Sequence, residues 1–308
     1  MRPRTLVPPH VESLSASQAG VVAVRQLLDA GITRRVIHRW SQDWIRVAEG
    51  LYATTPPSWH SVLWAGLLRA GAGGVAGGAA ALFLHGVLPD VPRTIDVWSP
   101  SAREDFSTPI GRVAFRCGAR AARGNPPPTA VEDSLLDFAS RCGREHDVVA
   151  AVTRALAQQL TLPGRIVDTL DARPRQRHRR VVQSLCEASS AGIESVLEWL
   201  FARRVLAPHG LPAAQRQVRL EGGRVDALYE GFIVELDGER FHADEARDRY
   251  RDNEHALQRN LLTLRYGWQD MADTPCRTAR QVADCLELHD WRGRRHRCPA
   301  CPPFTPGS

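Results

Sequence analysis

The sequence predicts a multidomain chain of mixed α+β and α/β class: an N-terminal helical unit with a hairpin, a helical middle region and a C-terminal α/β domain with a mixed central sheet. Three observations carry that expectation. At 308 residues the chain exceeds one ordinary domain, and 43% hydrophobic content is ample for real cores. Helical apolar spacing recurs through most of the chain. Two pairs of alternating runs flank Glu49-Gly50 and Glu230-Gly231, so strands are expected near both ends.

The elements follow in order. From Ser17 to Ala30, Val21, Val22, Val24, Leu27 and Leu28 favour one helical face, and Gly31 supplies a stop. Thr33 stands as an N-cap before a second helix, with Val36, Ile37 and Trp40 inward and arginines outward. Trp44 to Ala53 reads as two short strands around Glu49-Gly50. Two short helices and a hairpin make a winged helix-turn-helix pattern over residues 1-57. In that arrangement the helix opened by Thr33 enters a DNA major groove, with Arg34, Arg35 and Arg39 on phosphates or guanine edges and Arg46 on the backbone. The alternative is a small helical domain whose arginines form its solvated face.

Residues 58-188 are expected to be mostly helical, at Ser58 to Arg69, Ala79 to His85, Ala130 to Ser140 and Asp147 to Leu160. Strand-like pieces lie near Arg93 to Trp98 and Arg112 to Cys117. The glycines from Gly71 to Gly78 follow a helical pattern and carry no lysine, so a Gly/Ala-packed helix fits better than a nucleotide loop. The basic run from Arg173 to Arg180 reads as a solvated helix start or as a linker that tracks phosphates.

Composition narrows the chemistry. All 40 basic residues are arginine, because the chain contains no lysine. That excludes a Walker-type phosphate loop, a Schiff-base amine and a nuclease of the (D/E)-x-K pattern. Arginine cannot serve as a base, since it stays protonated to a pKa above about 12, but it grips phosphate bidentately. The formal net charge of +6 favours a polyanion such as DNA, although a GC-rich coding sequence would give a similar composition. Seven scattered cysteines read as reduced and intracellular. With no apolar signal core at Met1-Arg-Pro-Arg, and a Gly71 to Leu84 run short of the ~20 residues a span requires, a soluble cytoplasmic protein is expected.

The densest chemistry lies from Arg224 to Asp237. A two-residue turn at Glu230-Gly231 sets the register: Tyr229 opposes Phe232, Leu228 opposes Ile233, Ala227 opposes Val234 and Asp226 opposes Glu235. Val225, Ala227, Tyr229, Phe232, Val234 and Leu236 then share the core face. Asp226, Glu235 and Asp237 share the other, with Arg224 opposite Asp237. Opposed Cβ atoms lie about 4.5 to 5.5 Å apart, so the acids need a shared proton, an arginine or a hard cation such as Mg²⁺. The helix from Ser190 to about Leu206 presents Ile193, Val196, Leu197, Leu200 and Phe201 as a stripe that covers this face. Either Glu194 or Glu198 on its edge can lean toward the acids, or Ser195 and Glu198 form a capping box.

Two resemblances bear on these segments. The stretches "LLDAGITRRVIHRW" and "WIRVAEGLYA", with "ALFLHG" further on, resemble AbiEi-type antitoxins of type IV toxin-antitoxin systems, whose N-terminal winged helices bind their own promoters. From about Ser189 to Glu287, "SVLE", "RVDALY", "VELDGERFH", the helix from Asp244 to Asn260 and "LLTLRYGW" resemble Vsr-like endonuclease domains of the PD-(D/E)XK, restriction-endonuclease-like superfamily. That resemblance maps the metal-binding aspartate to Asp226, the Asp-Gly pair to Asp237-Gly238, the proton-transferring histidine to His242 and the helix glutamate to Glu198, with Glu194 as competitor. The superfamily lysine slot holds Asp237 here, as the Vsr-like branch also lacks that lysine, and the repair enzymes carry a hydrophobic residue at the place of Glu235.

The expected function is therefore a DNA-binding, Mg²⁺-dependent endonuclease, with Mn²⁺ as a substitute cation and Asp226, Glu235 and Asp237 as its ligands. Arg224, Arg247, Arg251 and Arg265 are candidates for the phosphates, shared with pairing to Asp244, Asp248 and Asp252. The alternative is an AbiEi-type transcriptional regulator in which the nuclease-like domain of residues 189-290 clamps DNA or binds a toxin-like partner without catalysis. Residues 291-308 form a basic tail, expected to be disordered, that ends in Cys298-Pro-Ala-Cys301. A zinc knuckle there needs four ligands, which Cys276, Cys285 and His289 would have to complete by folding back.

Overall fold

The computed structural model describes residues 6–190, 193–220, 223–237 and 261–301. The chain forms two compact units, Met1–Gly143 with Ala157–His178, and Arg144–Leu156 with Arg179–Ser308. The class is mixed α/β, with helices beside one three-stranded and two four-stranded sheets.

The first unit begins α1 (Pro9–Ser17), β1 (Val21–Ala23), α2 (Val24–Asp29), α3 (Arg34–Trp40), β2 (Ile45–Ala48) and β3 (Leu51–Ala53). The helix expected from Ser17 to Ala30 is corrected here. Ala19 and Gly20 both adopt left-handed φ, 51° and 83°, which breaks the chain after α1. The β-branched pair Val21 and Val22 then forms a strand antiparallel to β3, and helix resumes at Val24. The expected hairpin is present, and the sheet order is β1-β3-β2. Val11, Val22, Leu27 and Ile37 pack together beneath α3.

The region that follows carries more sheet than its helical spacing suggests. Beside α4 (Trp59–Ala70), α5 (Gly78–Leu84), α6 (Val131–Arg141) and α8 (Pro163–Asp171), a mixed sheet runs β4-β5-β7-β6 through β4 (Val75–Gly77), β5 (Thr94–Ser99), β6 (Phe106–Ser107) and β7 (Arg112–Cys117). The stretch from Gly71 to Gly78 is thus a turn and the short strand β4 before α5 starts, rather than one helix. Val62, Leu63 and Leu67 of α4 meet Ile95, Val97 and Val113 of the sheet in one apolar cluster. Arg173 lies in the connection that follows α8 and is held by the fold: its guanidinium bonds Asp133 and, at 2.7 Å, Asp137, whose other oxygen accepts the indole N–H of Trp98 at 2.9 Å.

The second unit contains α7 (Glu145–Ala157), α9 (Arg179–Ser190) and α10 (Ile193–Leu200), which runs on through a π-helical stretch (Phe201–Leu206) into the short turn α11 (Ala207–His209). A four-stranded sheet follows in the order β11-β10-β9-β8, from β8 (Gln215–Leu220), β9 (Gly223–Tyr229), β10 (Phe232–Asp237) and β11 (Leu262–Gly267). Strands β8, β9 and β10 are antiparallel in sequence, and β11 lies parallel to β10. The unit closes with α12 (Trp268–Ala272) and α13 (Pro275–Leu288). Strand β8 was not expected, because "QRQVRL" has only two apolar residues. Among the described residues, no helix is long and apolar enough to cross a membrane.

Candidate functional site

Three of the four pairs expected from the two-residue turn are observed, and the fourth, Asp226 opposite Glu235, is not part of the ladder. Phe232 pairs with Tyr229, Ile233 with Leu228 and Val234 with Ala227. Val225, Ala227, Tyr229, Phe232, Val234 and Leu236 are all buried, as a core face requires. The opposite face is covered too: Ile233 is fully buried and Glu235 is only 5% exposed. Helix α10 packs against β10, with Val196, Leu197, Leu200 and Phe201 buried. Burial pushes the Tyr229 phenol well above its usual range, and its hydroxyl donates to the Pro212 carbonyl at 3.0 Å.

The regular ladder between β9 and β10 stops at Ala227–Val234, and the next residues on the two strands are Asp226 and Glu235. Asp226 there takes a backbone role. Its Oδ2 accepts the N–H of Leu236 at 2.8 Å. On the other flank, β8 departs from strand geometry at Gln217, whose φ is 54°, between the pairs Arg216–Ala227 and Val218–Val225. A non-glycine residue in that region costs free energy that its surroundings must supply, and such residues cluster at functional sites.

Gln217 connects two acids. Its side-chain amide donates to Glu198 Oε1 and reaches Asp226 Oδ1 at 3.5 Å, while Arg216 forms an ion pair with Glu198 Oε2. Glu198 is therefore the helix glutamate joined to Asp226, through a glutamine that the sequence pattern did not flag. The side chain of Glu194 lies outside the described residues. A pocket of about 380 Å³ lined by Glu198, Trp199, Arg203 and Arg216 opens beside this pair.

The cations are distributed differently from expectation. Arg265 stands beside Glu235 in the parallel ladder of β10 and β11. Arg224 is exposed and pairs in register with Arg219 of β8, beyond the end of the β9–β10 ladder that would have set it against Asp237. The backbone of Asp237 ends β10 opposite Gly267, and its side chain lies outside the described residues. His242, Arg247 and Arg251 lie outside them as well. In the first unit Arg34, Arg35 and Arg39 are exposed on α3, and Arg46 is exposed on β2.

The donor set at this end of the sheet is made of oxygen. Asp226 is half-buried, Glu235 is buried, and Asp237 follows two residues along the same strand. Carboxylate oxygens suit a hard divalent cation such as Mg²⁺ or Mn²⁺. Compared with protein-family models and with curated proteins, the chain gives no match.

Proposed function

We propose that the chain is a DNA-binding protein whose second unit hydrolyses phosphodiester bonds with Mg²⁺, or Mn²⁺ in its place. The observation that carries this reading is the end of the β9–β10 ladder, where the acids Asp226 and Glu235 are the next residues on the two strands of a covered sheet and the backbone is distorted at Gln217 beside Asp226. The order of an acid-bearing helix, three antiparallel strands and a fourth strand parallel to the third supports the Vsr-like resemblance. In the first unit, the order helix, strand, helix, helix and hairpin, with four arginines exposed on α3 and β2, supports duplex docking.

Asp226, Glu235 and Asp237 would hold the cation. When bound, it supplies positive charge to the phosphate oxygens. The protein's own contribution is placement. The Leu236 N–H fixes one oxygen of Asp226, and Gln217 holds Asp226 and Glu198 in one hydrogen-bonded group. Arg216 supplies charge against Glu198, and Arg265 is the register partner of Glu235 on the neighbouring strand. His242, whose ordinary pKa of about 6.5 suits proton transfer near neutrality, is the group assigned the leaving-group proton.

Incubating the purified chain with plasmid and Mg²⁺ or Mn²⁺, beside Asp226→Ala, tests this. Cleavage by the native chain and not by the variant is expected. No cleavage of supercoiled, nicked, mismatched or single-stranded DNA by either would overturn the enzymatic reading. One observation favours a second reading: Arg216 forms an ion pair with Glu198, and Arg265 is the register partner of Glu235 on the neighbouring strand, so cationic side chains are at hand without a metal. In that case the unit is a non-catalytic DNA clamp or the seat of a toxin-like partner, and the protein is a regulator of the AbiEi type.

A further inference from the structure

The C-terminal basic segment, residues 291–301, has no regular secondary structure, yet it is seated on the second unit. The His296 N–H donates to the His209 carbonyl at 2.8 Å, and at Gly210, whose φ is 65°, an added Cβ would lie 2.8 Å from His296 Nδ1. Glycine is needed there for both backbone and space.

This seating brings four metal-ligating side chains together. His209 closes α11, Cys276 is the second residue of α13, and Cys298 and Cys301 flank a turn in which the Cys301 N–H donates to the Cys298 carbonyl at 3.0 Å. Their ligand atoms all lie within 4.8 Å of one another. Cys276 Sγ is 3.5 Å from Cys298 Sγ, Cys301 Sγ is 3.7 Å from Cys298 Sγ, and Cys301 Sγ is 3.7 Å from His209 Nε2. With Zn–S of about 2.3 Å and Zn–N of about 2.0 Å, a zinc tetrahedron has S···S edges of about 3.8 Å and S···N edges of about 3.5 Å. The three separations lie within about 0.3 Å of those values, and the remaining edges need to close by at most about 1.3 Å to match them.

The surroundings agree with a metal. His209 is fully buried, and its Nδ1 lies 2.8 Å from the Val205 carbonyl. A carbonyl only accepts, so Nδ1 carries the proton and Nε2 turns a bare lone pair toward the thiols, the usual outer hydrogen bond of a ligating histidine. Arg204, only 7% exposed, lies within electrostatic reach of Cys276 and Cys298. A Zn²⁺ ion with three thiolates and a neutral imidazole carries one net negative charge, which that guanidinium balances.

We propose that His209, Cys276, Cys298 and Cys301 form a structural Zn²⁺ site that fastens the C-terminal basic segment to the second unit. Of the ligands expected from sequence, Cys276 is used. Cys285 is buried outside the cluster, and His289 instead stacks near Phe232, with ring centroids 6.0 Å apart. The site is closed by four protein ligands, which is the pattern of a structural and not a catalytic zinc. It shares no residue with the carboxylates of the sheet and does not depend on the nuclease reading.

The test uses the full chain produced with added Zn²⁺, its metal content measured by mass spectrometry and its ligands by X-ray absorption. The expected result is about one zinc per chain in a shell of three sulfurs and one nitrogen. Cys301→Ser, on the outer segment, should lose most of that zinc while the circular dichroism spectrum is kept. Cys117→Ser, an exposed cysteine outside the cluster, should retain it. Chelation should also speed tryptic cleavage after Arg292, Arg294, Arg295 or Arg297 by at least about tenfold, as the segment comes loose. Zinc content equally low in the native chain and in Cys301→Ser would overturn the site. So would a metal-free chain with a Cys276–Cys298 disulfide, seen as a two-hydrogen mass loss.

Discussion

Two substitutions at Asp226 separate what its carboxylate does for the fold from what it does for chemistry. Asp226→Ala removes the acceptor of the Leu236 N–H, a 2.8 Å bond on a residue only 6% exposed. Leaving a buried donor without a partner costs about 1 to 3 kcal/mol, or roughly a 5- to 150-fold rise in the unfolded fraction. With a urea slope of about 2 kcal/mol per molar, the unfolding midpoint of the second unit should fall by about 0.5 to 1.5 M. Asp226→Asn keeps a carbonyl oxygen in the same place and loses only the charge, so it should retain more than about half of that stability. The contact to Gln217, at 3.5 Å, is at the outer limit of a hydrogen bond and changes the sum little. Both variants are to be unfolded in urea without divalent cation, followed by fluorescence and circular dichroism. If asparagine destabilises as much as alanine, the bond to Leu236 is not what holds the strand ends together, and the reasoning fails.

Further consequences can be measured independently. In the first unit, the carboxylate of Asp105 accepts the Phe115 N–H at 2.8 Å and an Arg112 N–H at 2.9 Å, and these bonds hold its pKa below the ordinary 3.8. Its stabilising contribution is present above 3.8 and is lost as pH falls through the lowered folded value, so Asp105→Asn should flatten the acid-side decline of the unit's unfolding midpoint; equal slopes would contradict this. Replacing Arg34 and Arg35 together should weaken duplex binding and flatten its log–log salt dependence by up to about 1.8, whereas an unchanged slope would refute groove docking by α3. Leu200→Ala, at a fully buried position of α10, should cost about 3 kcal/mol and raise amide exchange in β10; unaltered exchange there would mean that α10 does not cover that strand.

What was legible in the sequence is what short-range geometry determines. A two-residue turn leaves one register, so the pairing of Tyr229 with Phe232 and the burial of both hairpin faces followed from alternation alone. The helix Arg34–Trp40 was equally readable from its spacing. The first strand was not, because Val21 and Val22 fit a helical face as well as a strand until the left-handed Ala19 and Gly20 decide between them. Strand β8 was hidden by its polar residues, and with it Gln217, which joins Glu198 to Asp226. His209 lies far in sequence from Cys276, Cys298 and Cys301 and has no motif spacing to them, so only the fold brings the four together.

The most direct measurement is the Mg²⁺-dependent nicking rate of supercoiled plasmid by the native chain against Asp226→Asn, both first shown to be folded under the assay conditions. The account predicts nicking that requires Mg²⁺ or Mn²⁺ in the native chain and falls at least about a hundredfold in the variant, since asparagine keeps the hydrogen bond to Leu236 and removes only the charge offered to the cation. Equal nicking by the two proteins would contradict it, and so would nicking unaffected by chelation.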